Sequence, residues 1–240
     1  NAFAAAPPPP RVLRAIYQGI INPAAAEYLE SALVAGAARR FQAVVIELDT
    51  PGGLDLSMRD IVKAILASTI PVIVYVTPAG GRAASAGVFI TMAAHVAAMS
   101  PGTNIGAAHP IQIGGISGKE KEKSDPIMES KITNDLTAYL QAIAARRGRN
   151  AAWAFEAVAK STSVASAQAV RLKVVDLEAE NLKELLDRID GRRLADFDKP
   201  LKTKNAAIVD FPMTRRQKLL STIADPNIAV VLMSLGVSGL

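Results

Sequence analysis

From Arg11 to Ser100 the chain alternates two hydrophobic patterns. Short runs dense in Val, Ile, Leu and Ala ("RVLRAIYQG", "FQAVVIELDT", "PVIVYVT", "HVAAMS") have the length of strands and end in turn residues. Helical stretches lie between them. "NPAAAEYLESALVAGAARR" opens with Asn22, a residue suited to capping a helix, and Pro23 at the first helical position. "LDLSMRDIVKAILAS" places Met58, Ile61, Ile65 and Leu66 at helical spacing. A further helix is expected through "VFITMAA". Near-continuous apolar strands separated by helices predict a largely parallel sheet with right-handed crossovers, an α/β fold.

After Pro101 the pattern loosens. "GTNIGAAHPIQIGGISG" has glycines and only short apolar pairs, and "KEKEKSD" (119–125) is predicted to be solvated and mobile. A long helix is expected from about Ile127 to Arg147 and another from Asn150 to Lys160. "SVASAQAVRLKVVDLEA" reads as a short helix leading into a last strand, and "NLKELLDRIDG" as an amphipathic helix ending at Gly191. Residues 192–211 carry little pattern, and no tandem repeat stands out.

Composition narrows the function. The chain has 240 residues, half of them apolar, enough for one sizeable core. Its net charge of +5 comes from mixed signs, with no aromatic-interleaved basic stripe, so nucleic acid is not an expected partner. A weak attraction to anionic lipid fits the charge better. The absence of cysteine excludes disulfides, thiolate zinc sites and a cysteine nucleophile, and two histidines, His95 and His109, argue against a His-rich metal site.

Both ends carry signals. "AFAAAPPPP" after Asn1 reads as the exit of a cleaved signal peptide followed by a stiff proline spacer, or as a truncation. From Asn227 the tail "DPNIAVVLMSLGVSGL" has no charged side chain. Shorter than the roughly 20 residues that span a bilayer, it reads as the first part of a truncated transmembrane helix behind the basic "TRRQKLL", with a buried helix as the alternative. The expected organisation is a Pro-rich segment (1–10), an α/β domain (11–190), a linker (191–222) and the start of an apolar segment (223–240).

Two strand-to-helix turns are rich in glycine, "DTPGG" (49–53) and "TPAGGRAASAG" (77–87). In open α/β sheets, sites form where strand carboxyl ends meet helix N-termini. Ser85 opens a helix there among side chains that are nearly all tiny, and the Ala86 N–H is a first-turn donor without a partner inside the helix. That arrangement suits a nucleophile with half of an oxyanion hole, the other half being an N–H of Gly52 or Gly53. Ser85 taken alone also fits a packing role at a helix start. A serine nucleophile needs a base. His109 in "GAAHP" and Lys131 in "ESKITNDL", bordering the apolar stripe of Ile132, Leu136 and Leu140, both qualify, and spacing does not choose between them.

"VIELDTPGG", "AASAG", "SPGTNIGAAHP" and "KITNDLTAY" together resemble the membrane-bound serine proteases of the NfeD family, also called stomatin operon partner proteins. The likeness runs from about Val12 to Ala179 and continues in the tail. It implies a Clp-protease/crotonase-like fold of stacked β-β-α units. It also implies a Ser85/Lys131 dyad, an oxyanion hole from the Gly53 and Ala86 N–H groups, and substrate contacts at Gly52, Gly81, Gly87 and His109. His109 lies near the place of the triad histidine in Clp-type proteases, so a Ser/His site stays open, with an acidic partner to be sought around Thr162 and Ser163. Lys173 departs from the family, whose members tend to have glycine there. The resemblance implies an endopeptidase that needs no metal or cofactor and cleaves apolar peptide, as in a stomatin-like (SPFH) membrane protein. It would self-associate to a dimer or higher, be anchored in a membrane with its protease domain outside the cytoplasm, and carry a flap between nucleophile and base (117–126). The rivals are a crotonase-type acyl-CoA enzyme and a non-catalytic scaffold for a stomatin-like partner. Arg82 has no role assigned by sequence.

Overall fold

The computed structural model describes residues 9–110 and 126–223, with Ile228 and Ser234. The first half alternates as expected: β1 (Arg11–Gln18), α1 (Pro23–Ala38), β2 (Ala43–Asp49), α2 (Asp55–Leu66), β3 (Val72–Val76), β4 (Arg82–Ala84), α3 (Ala86–Ala93) and β5 (Val96–Met99). The second half adds β6 (Asn104–Gly106), α4 (Pro126–Arg146), α5 (Ala151–Ala159), β7 (Ser163–Ala165), α6 (Ser166–Arg171), β8 (Leu177–Glu178), α7 (Leu182–Ile189), β9 (Ala207–Asp210) and α8 (Arg215–Ile223).

The main sheet has six strands in the order β8-β5-β3-β2-β1-β9, and every neighbour pair is parallel. Its strands are apolar on both faces because both faces are covered. Leu13, Val44, Ile46 and Val74 join the core shared with α1, α2 and α3, while Val12, Val45, Ile73 and Tyr75 join Leu182, Leu185 and Leu186 of α7. A second sheet, β4-β6-β7, stands beside the carboxyl ends of β1 and β2. Bridges from Thr50 to Ala83 and from Ile21 to Gly53 stitch the main-sheet chain to this corner. The Asn22 side chain accepts the Ala25 N–H at 2.9 Å, which starts α1 as its sequence predicts.

Several features depart from the sequence reading. The glycine turn before Ser85 contains β4, and "SVASAQAV" starts with β7 before its helix. The strand after it, β8, is not the last, since β9 pairs in parallel with β1 at the sheet edge. The segment 191–222, expected as a linker, packs on the domain. Leu201 and Thr203 are buried, the Thr203 hydroxyl donates to Leu186 O at 2.6 Å, and the Tyr28 hydroxyl donates to Phe211 O at 2.6 Å. Lys173 holds the left-handed turn that glycine favours, at φ 57°. The "KEKEKSD" stretch and most of 223–240 lie outside the described residues. Among the described residues no helix is long and apolar enough to cross a membrane.

A buried polar cluster closes the end of the sheet away from the Ser85 corner. Arg149 donates to Met92 O (2.7 Å), Ala94 O (2.9 Å) and Asp176 (2.7 Å), and Asp176 also accepts from Ala97 N–H (2.7 Å) and Arg192 (2.6 Å). Burial works against the Asp176 carboxylate, but Arg149 and these donors outweigh it and hold its pKa below the usual range. Next to it His95 accepts the Val72 N–H on Nδ1 at 3.1 Å, while its Nε2 lies 3.2 Å from Arg147 Nη2 and 3.6 Å from Asp196.

Candidate active site

The corner is built from two turns held side by side. Asp49, the last residue of β2, accepts the Arg82 N–H at 2.9 Å. The Thr50 N–H donates to Arg82 O (2.8 Å) and the Ala84 N–H to Thr50 O (3.0 Å). The Thr50 hydroxyl closes its own turn against Gly52, with both contacts at 3.1 Å. "DTPGG" and "GGRAASAG" therefore share one backbone ladder. Sequence reasoning missed Asp49 and Thr50, although both stood in the quoted motif.

Gly52 and Gly53 serve different ends. At Gly52, φ is +120°, and an added Cβ would lie 2.7 Å from Ser85 Cβ and 3.3 Å from Ser85 Oγ. Only glycine lets this turn press against the serine. At Gly53, an added Cβ would collide with the Ile21 backbone. Ile21 N–H donates to Gly52 O and Leu54 N–H donates to Ile21 O, both at 2.8 Å. These bonds hold the strand-like edge on one side and leave the Gly53 N–H pointing to the other. Gly53 is exposed.

Ser85 stands between β4 and α3 at φ 49°, ψ −112°, a sparsely populated conformation for a residue with a side chain. Its N–H is held by Gly106 O (3.1 Å), and its own carbonyl accepts the Val88 N–H (2.9 Å). Its side chain makes no capping bond to α3, so Oγ is not consumed by the helix it starts. Strain concentrated at a strand-to-helix serine is the arrangement that exposes a nucleophile. Among the described residues neither the Gly53 nor the Ala86 N–H donates to a protein acceptor. The structure thus brings Ser85, Gly52, Gly53 and Ala86 to one corner.

The other predicted residues are placed differently. Gly81 and Gly87, read as substrate contacts, are buried and make room within the protein. A Cβ on Gly81 would meet Pro78 O at 2.8 Å and the Asp49 carboxylate carbon at 3.2 Å, and one on Gly87 would meet Thr50 Cγ2 at 2.7 Å. His109 sets Nδ1 3.0 Å from Val158 O and Nε2 3.7 Å from Glu129 on α4. Its acidic neighbour comes from α4 and not from the Thr162–Ser163 segment, which supplies the Thr162 carbonyl to Ala107 N–H and the Ser163 hydroxyl to Ile105 O. Lys131 lies exposed in the second turn of α4 and forms no ion pair among the described residues. Among the described residues no hydrogen bond joins Ser85 to Lys131 or to His109. Arg82 gives its N–H to Asp49 and exposes its side chain.

A family model described as "NfeD1b, N-terminal domain" matches residues 16–192. The chain belongs to this family. Within it, the NfeD1b-type chain is 38% identical over 209 residues to membrane-bound protease PH1510 of Pyrococcus horikoshii, covering 82% of this chain and 44% of that protein. It therefore spans less than half the length of that curated relative. Among solved structures, the 1510-N membrane-bound stomatin-specific protease is similar in two forms. A lysine-to-alanine mutant in complex with a substrate peptide matches with a TM-score of 0.81 and 33% identity over 90% of this chain and 98% of that one. A serine-to-alanine mutant matches with a TM-score of 0.78 and 32% identity over 86% and 100%. ClpP1 from Listeria monocytogenes, at 19% identity and a TM-score of 0.56 over 70% and 91%, shares the fold. The NfeD1b-type domain is thus a Clp-like α/β domain, as its motifs implied.

Proposed function

We propose that this NfeD1b-type domain is a serine endopeptidase with a Ser85/Lys131 dyad. One observation carries the reading: an uncapped serine in a strained turn, with the unclaimed N–H groups of exposed Gly53 and of Ala86 beside it. The 1510-N mutants alter one serine and one lysine, which supports pairing Ser85 with Lys131. The Lys131 amine takes the Ser85 proton as Oγ attacks the peptide carbonyl. The Gly53 and Ala86 N–H groups hold the resulting oxyanion. The Lys131 ammonium then protonates the leaving amine, and water, activated by the same lysine, releases the acyl group. In unliganded enzymes such contacts are often loose and tighten with substrate.

The substrate is an extended apolar peptide. Leu54 and Leu56, just past Gly53, are 50% and 76% exposed, and Ile127 and Met128, one turn before Lys131, are 66% and 50% exposed. Two pairs of exposed large apolar side chains beside the catalytic turns suit such a chain. A stomatin-like membrane protein is the proposed source, in keeping with what 1510-N is specific for. We assign His109 to the rim that seats substrate, while buried Gly52 fits the turn that carries the Gly53 N–H against Ser85. Membrane anchoring through chain beyond the described residues, a position outside the cytoplasm and self-association belong to the same proposal. A Ser/His mechanism is less favoured, because Val158 O and Glu129 occupy both sides of the His109 ring.

A fluorophosphonate should label Ser85, identified by peptide mass, and labelling should vanish in Ser85→Ala. No labelling of folded protein, or labelling unchanged in Ser85→Ala, defeats the proposal. Acyl-CoA turnover that survives loss of Ser85 and Lys131 would favour the crotonase reading. Capture of a stomatin-like partner without cleavage by the unaltered chain would favour a scaffold.

A further inference from the structure

Three helices begin around the Ser85 corner. α2 starts two residues after Gly53, α3 starts directly after Ser85, and α4 carries Lys131 in its second turn. One side chain on α2 links all three. Arg59 places Nε 2.9 Å from Asp55 on its own helix and donates from Nη2 to Asp135 on α4 at 2.5 Å. Its guanidinium carbon lies 4.6 Å from the centroid of the Tyr139 ring, also on α4. That ring stacks on Phe89 of α3, with centroids 5.9 Å apart. Phe89 sits one turn after Ser85, and Asp135 one turn after Lys131, so both contacts lie next to the reacting residues. Arg59–Asp135 is the only ion pair between α2 and α4 among the described residues.

We infer that Arg59 is a positioning residue, which through Asp135 and Tyr139 sets the Lys131 helix against Ser85 and the Gly53 amide. The inference rests on the Ser/Lys reading. The Asp135 side chain is 66% exposed, so charge attraction alone is screened and contributes little. What matters is the planar fork, which bonds two carboxylates while its face covers an aromatic ring. A lysine reaches one of these partners at a time.

The test is steady-state cleavage of an apolar peptide together with Ser85 labelling rates, on variants shown to be folded by circular dichroism. Arg59→Ala should lower kcat by about 10- to 100-fold, the range expected when a catalytic group is misplaced by about 1 Å, with KM nearly unchanged. Arg59→Lys should recover little. The exchange Arg59→Asp with Asp135→Arg should restore most of kcat, because an arginine at 135 lies one turn from Tyr139 and meets the carboxylate placed at 59. In a Lys131→Ala background, Arg59→Ala should leave Ser85 labelling unchanged, since its effect runs through Lys131. A general structural role would lower both backgrounds alike and would overturn the inference. So would wild-type kcat in folded Arg59→Ala when Lys131→Ala abolishes turnover, and the Ser/Lys reading would survive that result. A folded wild type that neither cleaves nor labels defeats the Ser/Lys reading itself.

Discussion

Gly52→Ala tests how tightly the glycine turn is fitted to the serine. The added methyl carbon would lie 2.7 Å from Ser85 Cβ and 3.3 Å from Oγ. Carbon–carbon contacts are most favourable near 3.5–4.0 Å, so about 1 Å must be conceded by Ser85 or by the turn. Overpacking of this kind costs about 1–3 kcal/mol, and holding alanine at the turn's φ of +120° costs about 1–3 kcal/mol more. For a chain of this length each kcal/mol lowers Tm by roughly 2–4 °C, so Tm should fall by roughly 5–20 °C. Catalysis should suffer beyond that. Moving the turn moves the Gly53 N–H, and loss of one oxyanion donor costs about 10²–10³ in kcat. The assay is peptide cleavage with Ser85 labelling, run at a temperature where thermal denaturation shows the variant fully folded. A folded Gly52→Ala protein with kcat within threefold of wild type would refute the fit between this turn and Ser85.

Other expectations concern the buried polar cluster and the helix start. Burial, followed by the nearby Arg147, lowers the His95 pKa from 6.5 to about 4. Between those values the unfolded chain binds a proton that the native chain does not, so stability is full above about pH 6.5 and falls as pH drops, by about 3 kcal/mol at pH 4. His95→Asn keeps an acceptor for the Val72 N–H without titrating, so urea unfolding between pH 4 and 7 should show a shallower fall; an unchanged slope would count against this assignment. Arg149→Met strands the buried Asp176 carboxylate and should cost about 3–5 kcal/mol, read as a lower urea midpoint; a loss under 1 kcal/mol would show that Arg192 and the Ala97 N–H suffice. Asn22→Ala removes the cap of α1 and should cost about 1 kcal/mol with kcat unchanged, measured in the same unfolding and cleavage assays.

The parts of this fold that were legible in the sequence are those fixed by local chemistry. β1, β2, β3 and β5 are dense apolar runs because the sheet is covered on both faces, and Asn22-Pro23 announces α1. β4, β6 and β7 are three residues each and exist through pairing with one another and with Thr50, which no local period records. β9 is a mostly exposed edge strand, so "AIVD" carries no apolar alternation, and the segment that includes it looked like a linker. At the site, Ser85 and the two glycine turns stood out by composition. The positive φ of Ser85 did not, because that conformation is imposed by bonds to Gly106 and Val88. Gly81 and Gly87, expected as substrate contacts, pack against Asp49 and Thr50, since small residues serve close packing as well as they serve an open groove. Arg59 was invisible as a site residue, since its partner Asp135 lies 76 positions away.

The central claim is that Lys131 is the base for Ser85, and the direct measurement is the pH–rate profile for cleavage of an apolar peptide by wild type, Lys131→Ala and His109→Ala. A positioned general base contributes about 10²–10⁴-fold. Wild-type activity should fall as pH is lowered, because a protonated amine accepts no proton; Lys131→Ala should lose activity by about that factor, and His109→Ala should retain the wild-type profile. Activity retained in Lys131→Ala and abolished in His109→Ala would contradict the claim and place the base on the histidine.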